Sequence, residues 1–277
     1  MNRIISIIIA LGFLTSLSVQ AQETSDENVV PESVEQKSAN ENIVVDDALT
    51  KALADSAYAR KDYATAIEVY ESILKNQGES ADIYYNLGNS YYKNKNIARS
   101  ILNFERARLL NPGDNDIRFN LEMAKSKAVD KVDTVNNFFL TGWIISLRNN
   151  FSVDGWARGG VFTFILMLVC IAIYLFGKNL LLRKIGFSLS VLSVLFVIIA
   201  NIFAYQQRQV LIERKSAIVM LPSITVKSTP DNGGTDLFIL HEGHKVVIKD
   251  DTMKEWREIQ LEDGSVGWVP ADVLEKI

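Results

Sequence analysis

The histidines of the chain, His241 and His244, are the residues whose type and spacing come closest to a chemical site. They lie three apart, with Glu242 between them and Asp236 nearby, and such side chains can bind a metal ion. A zinc site needs three or four protein ligands, however, and no further ligand set at a recognised spacing follows. The sequence also has no nucleophile elbow and no phosphate-binding loop. We therefore expect no catalytic residue, no metal and no cofactor, and predict that the protein is not an enzyme.

Charge and cysteine content exclude two further kinds of site. The formal net charge is −4, so the chain offers no basic surface for nucleic acid, and we expect no nucleic-acid partner. Its single cysteine, Cys170, lies within a long apolar run and has no partner for an intramolecular disulfide. We expect Cys170 to act as a small apolar side chain.

The elements that could position a binding surface begin near residue 47, where the sequence repeats itself. Residues 48–74 align with residues 82–110 at an offset of 34 residues, which is the period of helix–turn–helix tetratricopeptide repeats. The second copy resembles that family nearly position by position, and its matching structural residues are Tyr84, Leu87, Gly88, Tyr91, Phe104, Ala107 and Pro112. The first copy is looser, and it keeps Leu53, Ala66 and Tyr70. Residues 115–131 continue as a capping helix would.

Two repeats and a cap fall below the roughly three units that such arrays need to be stable alone. We therefore expect the array to pack against a partner, against a second copy of itself, or against residues 136–151. This last stretch is amphipathic and suggests a helix at the membrane surface. Its apolar side chains are Phe138, Phe139, Trp143, Ile144 and Leu147.

The resemblance to tetratricopeptide repeats implies a concave surface that binds a protein partner along the first helix of each pair. The candidate partner-binding residues are Lys51, Asp55, Tyr58, Asp82, Tyr85, Asn89, Tyr92 and Phe119. Each could instead be a solvated or capping residue. Lys51 and Asn86 match the subtype that clamps a terminal carboxylate, but Asp55 and Asp116 place negative charge in the same region. We do not expect a carboxylate clamp.

Beyond residue 215 the periodicity changes toward two. Short runs rich in β-branched and aromatic residues, such as ITVKS and HKVVIK, are separated by turn signals. This pattern predicts an all-β barrel of about five strands. The order of the runs resembles the bacterial SH3 domain over residues 216–277.

The SH3 resemblance implies a surface for a wall peptide or a protein partner. Its candidate residues are Trp256, Trp268 and Pro270. Glu255 and Val273 stand where the eukaryotic domains carry the Trp and Tyr of their proline-binding groove, so that groove is largely missing. Trp256 and Trp268 could instead be core and rim residues.

Two long apolar runs predict transmembrane helices at residues 158–177 and 185–205. At about 1.5 Å per residue such runs match a hydrocarbon core of about 30 Å. A buried hairpin of a soluble protein is the alternative, but neither run has the polar stripe of a surface helix. Lys178, Arg183 and Lys184 crowd the link between the runs, so the positive-inside rule places this link in the cytoplasm.

The first residues are typical of a secretory signal peptide. Arg3 precedes an uncharged run, and small residues occupy the −1 and −3 positions of a cleavage site after Ala21. A retained anchor is the alternative. Cleavage would leave the new N-terminus on the outer side of the membrane. If the two apolar helices then cross the membrane in turn, the link between them lies in the cytoplasm, as the positive-inside rule also predicts. Both soluble segments would then face the periplasm, or the cell exterior if there is no outer membrane.

The sequence thus predicts a multidomain membrane protein with an all-α repeat domain, two transmembrane helices and an all-β SH3-like barrel. The predicted segments are the signal peptide (1–21), a disordered acidic spacer (22–46), two tetratricopeptide repeats with a cap (47–131), a membrane-surface segment (132–157), the first transmembrane helix (158–177), a cytoplasmic loop (178–184), the second transmembrane helix (185–205), a linker (206–215) and the SH3 domain (216–277).

This ordered set resembles the BatE family of aerotolerance-operon proteins. The resemblance implies a non-enzymatic component of the inner membrane that works with von Willebrand factor A membrane proteins, a second repeat protein and a MoxR-type ATPase. We expect an interaction scaffold whose concave repeat surface binds a protein partner and whose barrel docks against a second partner or against the array itself. It also suggests a role in aerotolerance or envelope stress. One alternative is a wall-sensing protein whose SH3 domain binds peptidoglycan, and another is an accessory subunit of a transporter or secretion machine.

Overall fold

The computed structural model describes residues 50–130 and 139–277. The predicted signal peptide (1–21) and acidic spacer (22–46) lie outside these residues. The described part begins in helix α1, which covers residues 50–59. It continues through α2 (Tyr63–Gln77), α3 (Ala81–Lys93), α4 (Ile97–Leu110) and α5 (Asn115–Lys125). These helices form the repeat array, in which α1 and α2 are the first repeat, α3 and α4 the second, and α5 the cap.

The repeat is visible in the backbone of the two turns within the helix pairs. Lys61 and Lys95 both adopt a φ of 65°, and each precedes the residue that caps the next helix. The Asp62 side chain accepts a hydrogen bond from the backbone N–H three residues later at 3.3 Å, and Asn96 does the same at 3.1 Å. Both repeats therefore use one turn geometry, a left-handed residue followed by an N-cap.

Gly88 allows α3 and α4 to approach closely. A Cβ at this position would lie 2.8 Å from the Phe104 ring, and Ser100 Oγ donates to the Gly88 carbonyl at 2.9 Å. Leu87 is 2% exposed because α3 packs against the first repeat. Leu53, its equivalent in the first copy, is 50% exposed, and no preceding repeat covers it in the described part of the chain.

Three helices follow the array: α6 (Phe139–Arg148), α7 (Val153–Phe176) and α8 (Leu180–Glu213). Helices α7 and α8 run antiparallel and meet at small residues, since Gly160 faces Ala200 and Gly186 faces the backbone of Cys170. Both are long and apolar enough to cross a membrane. The protein buries only 11% and 22% of their most apolar windows, unlike the core helix of a soluble protein.

The helix boundaries differ from the predicted segments. Helix α8 continues to Glu213, so most of the predicted linker at residues 206–215 is helical. This stretch contains Gln, Arg, Leu and Glu, which favour helix, and it lacks Gly and Pro. The predicted loop at residues 178–184 is also shorter, because α8 already begins at Leu180.

The predicted membrane-surface segment at residues 132–157 contains more than one element. Its residues before Phe139 lie outside the described part, α6 ends at Arg148, and α7 begins at Val153. Within α6, Trp143 is 65% exposed and Ile144 is 45% exposed. Its position at a membrane surface stays a prediction.

The C-terminal region forms an antiparallel sheet, which confirms the β-rich prediction for this part of the chain. Seven strands pair in the order β3-β2-β6-β5-β4-β1-β7. They are β1 (Ser216–Val219), β2 (Ser223–Lys227), β3 (Asp236–His241), β4 (Lys245–Asp250), β5 (Trp256–Gln260), β6 (Val266–Pro270) and β7 (Leu274–Lys276).

The sheet differs from the predicted closed barrel of about five strands. Its outer strands, β3 and β7, do not pair with each other, so the sheet is open. Strands β2 and β6 are joined at one register pair, Lys227 opposite Trp268. Strand β7 is only three residues long and mostly polar, so it has no alternation that a sequence pattern could detect.

Candidate protein-interaction site

In the first repeat, the polar contacts of the predicted concave groove centre on the carboxylate of Asp55. Lys51 Nζ donates to Asp55 Oδ2 at 2.8 Å, and Tyr70 donates from its hydroxyl to Asp55 Oδ1. Burial alone would raise the pKa of Asp55, but these two hydrogen bonds outweigh it and lower the pKa. Asp55 is therefore a charged acceptor near neutral pH, and its two protein donors hold it in place.

A small cavity of about 310 Å³ opens beside Asp55. Tyr58 and Asn89, both predicted, line it together with Tyr70 and Asn86. The sequence predicts Tyr70 as a residue of the repeat motif. It matches Asn86 to a carboxylate clamp, but it does not predict that this clamp forms. The cavity offers hydroxyl and amide groups next to one carboxylate, which suits a hydrogen-bonding peptide better than a terminal carboxylate.

The remaining predicted groove residues do not gather at this cavity. Tyr85 accepts a hydrogen bond on its hydroxyl from Asn120 Nδ2 at 2.7 Å, and its ring lies 5.9 Å from that of Phe104. Tyr92 is half-buried against the apolar cluster of α4 and α5. Phe119 is 70% exposed on α5, and Asp82 is exposed in the first turn of α3. Tyr85 and Tyr92 thus support the groove wall.

The structural motif residues of the second repeat form the seams of the array. Leu87, Gly88, Phe104 and Ala107 are buried among the helices, and Pro112 is half-buried after α4. The two motif tyrosines are buried with their hydroxyls bonded to carboxylates, Tyr84 to Glu79 at 3.0 Å and Tyr91 to Glu71. Burial and the Glu71 carboxylate raise the pKa of Tyr91 to about 12.

The array packs against the C-terminal sheet, through residues that differ from those of the groove. Ile218 of β1 and Ile277 join Ile101, Leu102 and Leu121 of the array in one buried cluster. We refer to this contact, between α4, α5 and residues 128–130 on one side and the sheet on the other, as the docking interface. The sheet therefore supplies the covering that two repeats and a cap lack.

A buried carboxylate lies at the centre of the docking interface. Glu105 of α4 is 2% exposed, and Lys245 Nζ of β4 lies 2.9 Å from its Oε2. Arg108 donates to the same oxygen at 2.6 Å, and Lys125 Nζ lies 3.1 Å from Oε1. Burial would raise the pKa of Glu105, but the three cations outweigh it and lower the pKa to about 2.

Two further polar contacts flank Glu105. Arg106 pairs with Glu275 at 3.2 Å and also donates to the Lys276 carbonyl at 2.6 Å. Arg214, just after α8, forms a two-pronged pair with Glu79 at the start of the second repeat. Bidentate Arg–carboxylate pairs fix orientation as well as distance. These contacts set the angle at which the sheet meets the array.

The two histidines of the chain belong to this interface. Asp130 accepts a hydrogen bond from the His241 backbone N–H at 2.8 Å, and its other oxygen lies 2.7 Å from His241 Nδ1. His244 is 8% exposed, with Nδ1 3.5 Å from Asp130. Burial lowers the pKa of His244 despite that nearby carboxylate. Among the described residues, no cluster of His, Cys, Asp and Glu could hold a metal ion.

The turn between these histidines requires glycine. Gly243 has a φ of +83°, and a Cβ there would lie 2.9 Å from Ile101 Cδ1 in α4. The turn thus approaches the helix more closely than any other residue type would allow.

The predicted residues of the sheet surface share one face of the β5–β6 hairpin. Trp256 lies opposite Pro270 and Trp268 opposite Glu258, while Ile259 and Gly267 alternate onto the other face. All three candidates are half-buried. The hairpin therefore presents two indole rings and a proline on one side, although no described contact shows what they bind.

Comparison with known families bears on the array. A family model described as tetratricopeptide repeat matches residues 51–121. No curated protein matches the chain. The family match confirms the repeat prediction for this part, and tetratricopeptide repeats point to a role in protein–protein interaction.

Proposed function

We propose that this protein is a non-enzymatic membrane scaffold that presents the concave groove of its repeat array to a protein partner. The observation that carries the proposal is that the array uses different residues for the docking interface and for the cavity. The sheet packs against α4 and α5 through Ile101 and Glu105, whereas Asp55, Tyr58 and Asn89 line a cavity elsewhere. Docking thus stabilises the short array without occupying that cavity.

The docking interface also supports the proposed topology. Ion pairs such as Glu105–Lys245 and Arg106–Glu275 support a topology in which the array and the sheet lie on one side of a membrane. Two membrane crossings between the array and the sheet return the chain to the side from which it entered. The positive-inside rule then places the basic link at residues 178–184 on the opposite, cytoplasmic side. We place both in the periplasm, anchored in the inner membrane with the short link in the cytoplasm.

The resemblance to the BatE family extends this proposal to specific partners. A von Willebrand factor A membrane protein and other products of a Bat-type operon would bind the groove, in a complex linked to aerotolerance or envelope stress. The exposed apolar ring of Phe119 and the polar cavity beside Asp55 suit a partner segment with both side-chain classes.

Crosslinking of the full chain in native membranes tests this proposal. A tagged chain should recover a von Willebrand factor A membrane protein, and Tyr58→Ala with Asn89→Ala should reduce the yield several-fold. Glu68→Ala, an exposed change on α2 outside the cavity, is the matched control and should leave the yield unchanged. Equal recovery by the groove variant would exclude the groove as the binding surface.

A second candidate function rests on the Trp256–Trp268–Pro270 face. If residues 216–277 act as a bacterial SH3 domain, this face would bind peptidoglycan. The full chain in detergent should then sediment with purified sacculi, and Trp268→Ala should abolish the sedimentation. A chain that stays in solution would leave the scaffold as the supported function.

A further inference from the structure

We propose that a basic cavity at the membrane end of the docking interface binds the phosphate group of an anionic lipid headgroup. The cavity measures about 450 Å³ and lies between α4, the turn that joins α6 to α7, the end of α8 and the start of β1. This inference goes beyond the scaffold role and needs no partner in the groove, but it rests on the proposed insertion of α8 in a membrane.

The charges that line the cavity are strongly unbalanced. Its lining includes one acidic side chain, that of Glu105. It also includes six cationic side chains, which are Arg108, Arg118, Arg148, Arg214, Lys215 and Lys245. Arg214 pairs with Glu79, and Lys215 pairs with Glu213 at 2.9 Å. Even with these carboxylates included, positive charge remains in excess. A concave site with such an excess attracts an anion.

Two of these arginines are free to bind that anion. Arg118 donates to Asn115 Oδ1 at 2.6 Å, and Arg148 donates to Asn149 Oδ1 at 3.2 Å. Neither has a carboxylate within ion-pair distance in residues 50–130 and 139–277. The planar guanidinium groups retain donors that match the oxygens of a phosphate.

The position of the cavity along α8 points to a lipid as the source of that phosphate. Gln207 and Val210 line the cavity, and they lie two and five residues beyond Tyr205, where the predicted span ends. At 1.5 Å per residue these offsets are about 3 Å and about 8 Å. The headgroup region adds roughly 5 to 8 Å on each side of the hydrocarbon core. The cavity therefore lies at headgroup depth.

Gln207 adds a feature that suits a hydroxylated headgroup. Its Nε2 donates to the carbonyls of Arg148 and Phe151 at 3.0 Å and 2.8 Å, which fixes the amide. Its Oε1 is buried and has no hydrogen-bond partner among the described residues. A hydroxyl of a phosphoglycerol headgroup could donate to this oxygen while the phosphate contacts the arginines.

Native mass spectrometry of the full chain in an uncharged detergent tests the proposal. Phosphatidylglycerol should bind at least about tenfold more tightly than phosphatidylcholine, because charge-assisted contacts depend on net anionic charge. Arg118→Gln combined with Arg148→Gln should reduce phosphatidylglycerol affinity about tenfold or more. Arg208→Gln removes one positive charge next to Gln207, at an exposed position outside the cavity, and should have no effect.

Three outcomes would overturn the proposal. The first is equal binding of the two lipids by the unchanged protein, a comparison that does not depend on any variant folding correctly. The second is unchanged phosphatidylglycerol affinity in the double variant. The third is full competition by inorganic phosphate at the same concentration, which would assign the cavity to a soluble anion.

Discussion

Glu105 Oε2 and Lys245 Nζ lie 2.9 Å apart, although 140 residues separate them in the chain. The pair joins helix α4 of the repeat array to strand β4 of the C-terminal sheet. Arg108 and Lys125 complete the surroundings of the carboxylate, which is almost fully buried. A buried charge is tolerated only when it is well paired, so loss of this carboxylate should weaken the docking interface.

Replacement of Glu105 should destabilise the protein strongly. Glu105→Ala leaves three cations without their shared carboxylate, and breaking a buried pair costs about 3 to 5 kcal/mol in the free energy of unfolding. Urea unfolding of the full chain in mild detergent measures this value. Glu68→Ala, exposed on α2, should change it by less than about 0.5 kcal/mol. Equal effects of the two substitutions would contradict the assigned role of Glu105.

Gly243→Ala should weaken docking beyond the cost of its backbone conformation. The added methyl group would meet Ile101 Cδ1 at 2.9 Å, and Ile101 is fully buried. Gly264→Ala is the matched control, because Gly264 also has a positive φ, of +92°, but nothing within 4 Å of an added Cβ. Overpacking should make Gly243→Ala the more destabilising change by about 1 kcal/mol or more. A difference near zero would argue against close contact between the turn and α4.

Gly88→Ala should disturb the seam of the second repeat. The new Cβ would lie 2.8 Å from the Phe104 ring, which is fully buried. Overpacking of this kind costs about 1 to 3 kcal/mol, partly offset by the better helix propensity of Ala. Gly142→Ala in α6, with open space around it, should gain that propensity without the clash. The melting temperatures of both variants, measured by circular dichroism, should therefore move in opposite directions.

Acidification should loosen the docking interface in two steps. Burial lowers the folded-state pKa of His244 below its ordinary 6.5, against the opposing charges of Asp130, Glu262 and Asp263. The unfolded chain then binds a proton more readily than the folded chain, so stability is lost as the pH falls below about 6.5. The lowered pKa of Glu105 acts in the same direction at lower pH, with loss as the pH falls from 4.5 toward 2.

The two steps can be separated by substitution. His244→Gln cannot be protonated, so it should flatten the pH dependence of the unfolding free energy between pH 6.5 and pH 5. The loss below pH 4.5 should remain, since it arises from carboxylates whose pKa is lowered in the folded state, among them Glu105 and Asp130. An unchanged slope between pH 6.5 and pH 5 would show that His244 does not titrate in the interface.

Local patterns predicted much of this fold. The 34-residue offset indicated the repeat, and the equal φ angles of Lys61 and Lys95 show how closely the two copies agree. Gly88 was assigned a structural role from its motif position, and it lies where α3 and α4 approach closely, next to Phe104. The two apolar runs likewise predicted the long helices α7 and α8. Each of these features depends on residues that are close in sequence.

The array was one of two expected partners of the barrel, but the residues of the docking interface could not be predicted in the same way. Glu105 and Lys245 belong to different modules, and nothing in the local sequence links them. The available signal for a buried ion pair was a charged residue between Phe104 and Ala107 in a buried helix. This signal did not identify the side chain that pairs with it. In the sequence His241 and His244 lie close to Asp236 and Glu242, whereas the carboxylate that contacts them is Asp130, 111 residues away from His241.

Crosslinking of the array to the sheet in intact membranes tests the central claim most directly. Arg106 and Glu275 form a partly exposed ion pair of the interface, with Nη2 and Oε1 3.2 Å apart. Cysteines at both positions, in a Cys170→Ala background, should be joined within one chain by a short bismaleimide. Arg60→Cys paired with Glu275→Cys should not be joined, because the contacts of Arg60 lie within the first repeat. If both cysteines react with single maleimides but never crosslink, the array and the sheet are not docked on one side of the membrane.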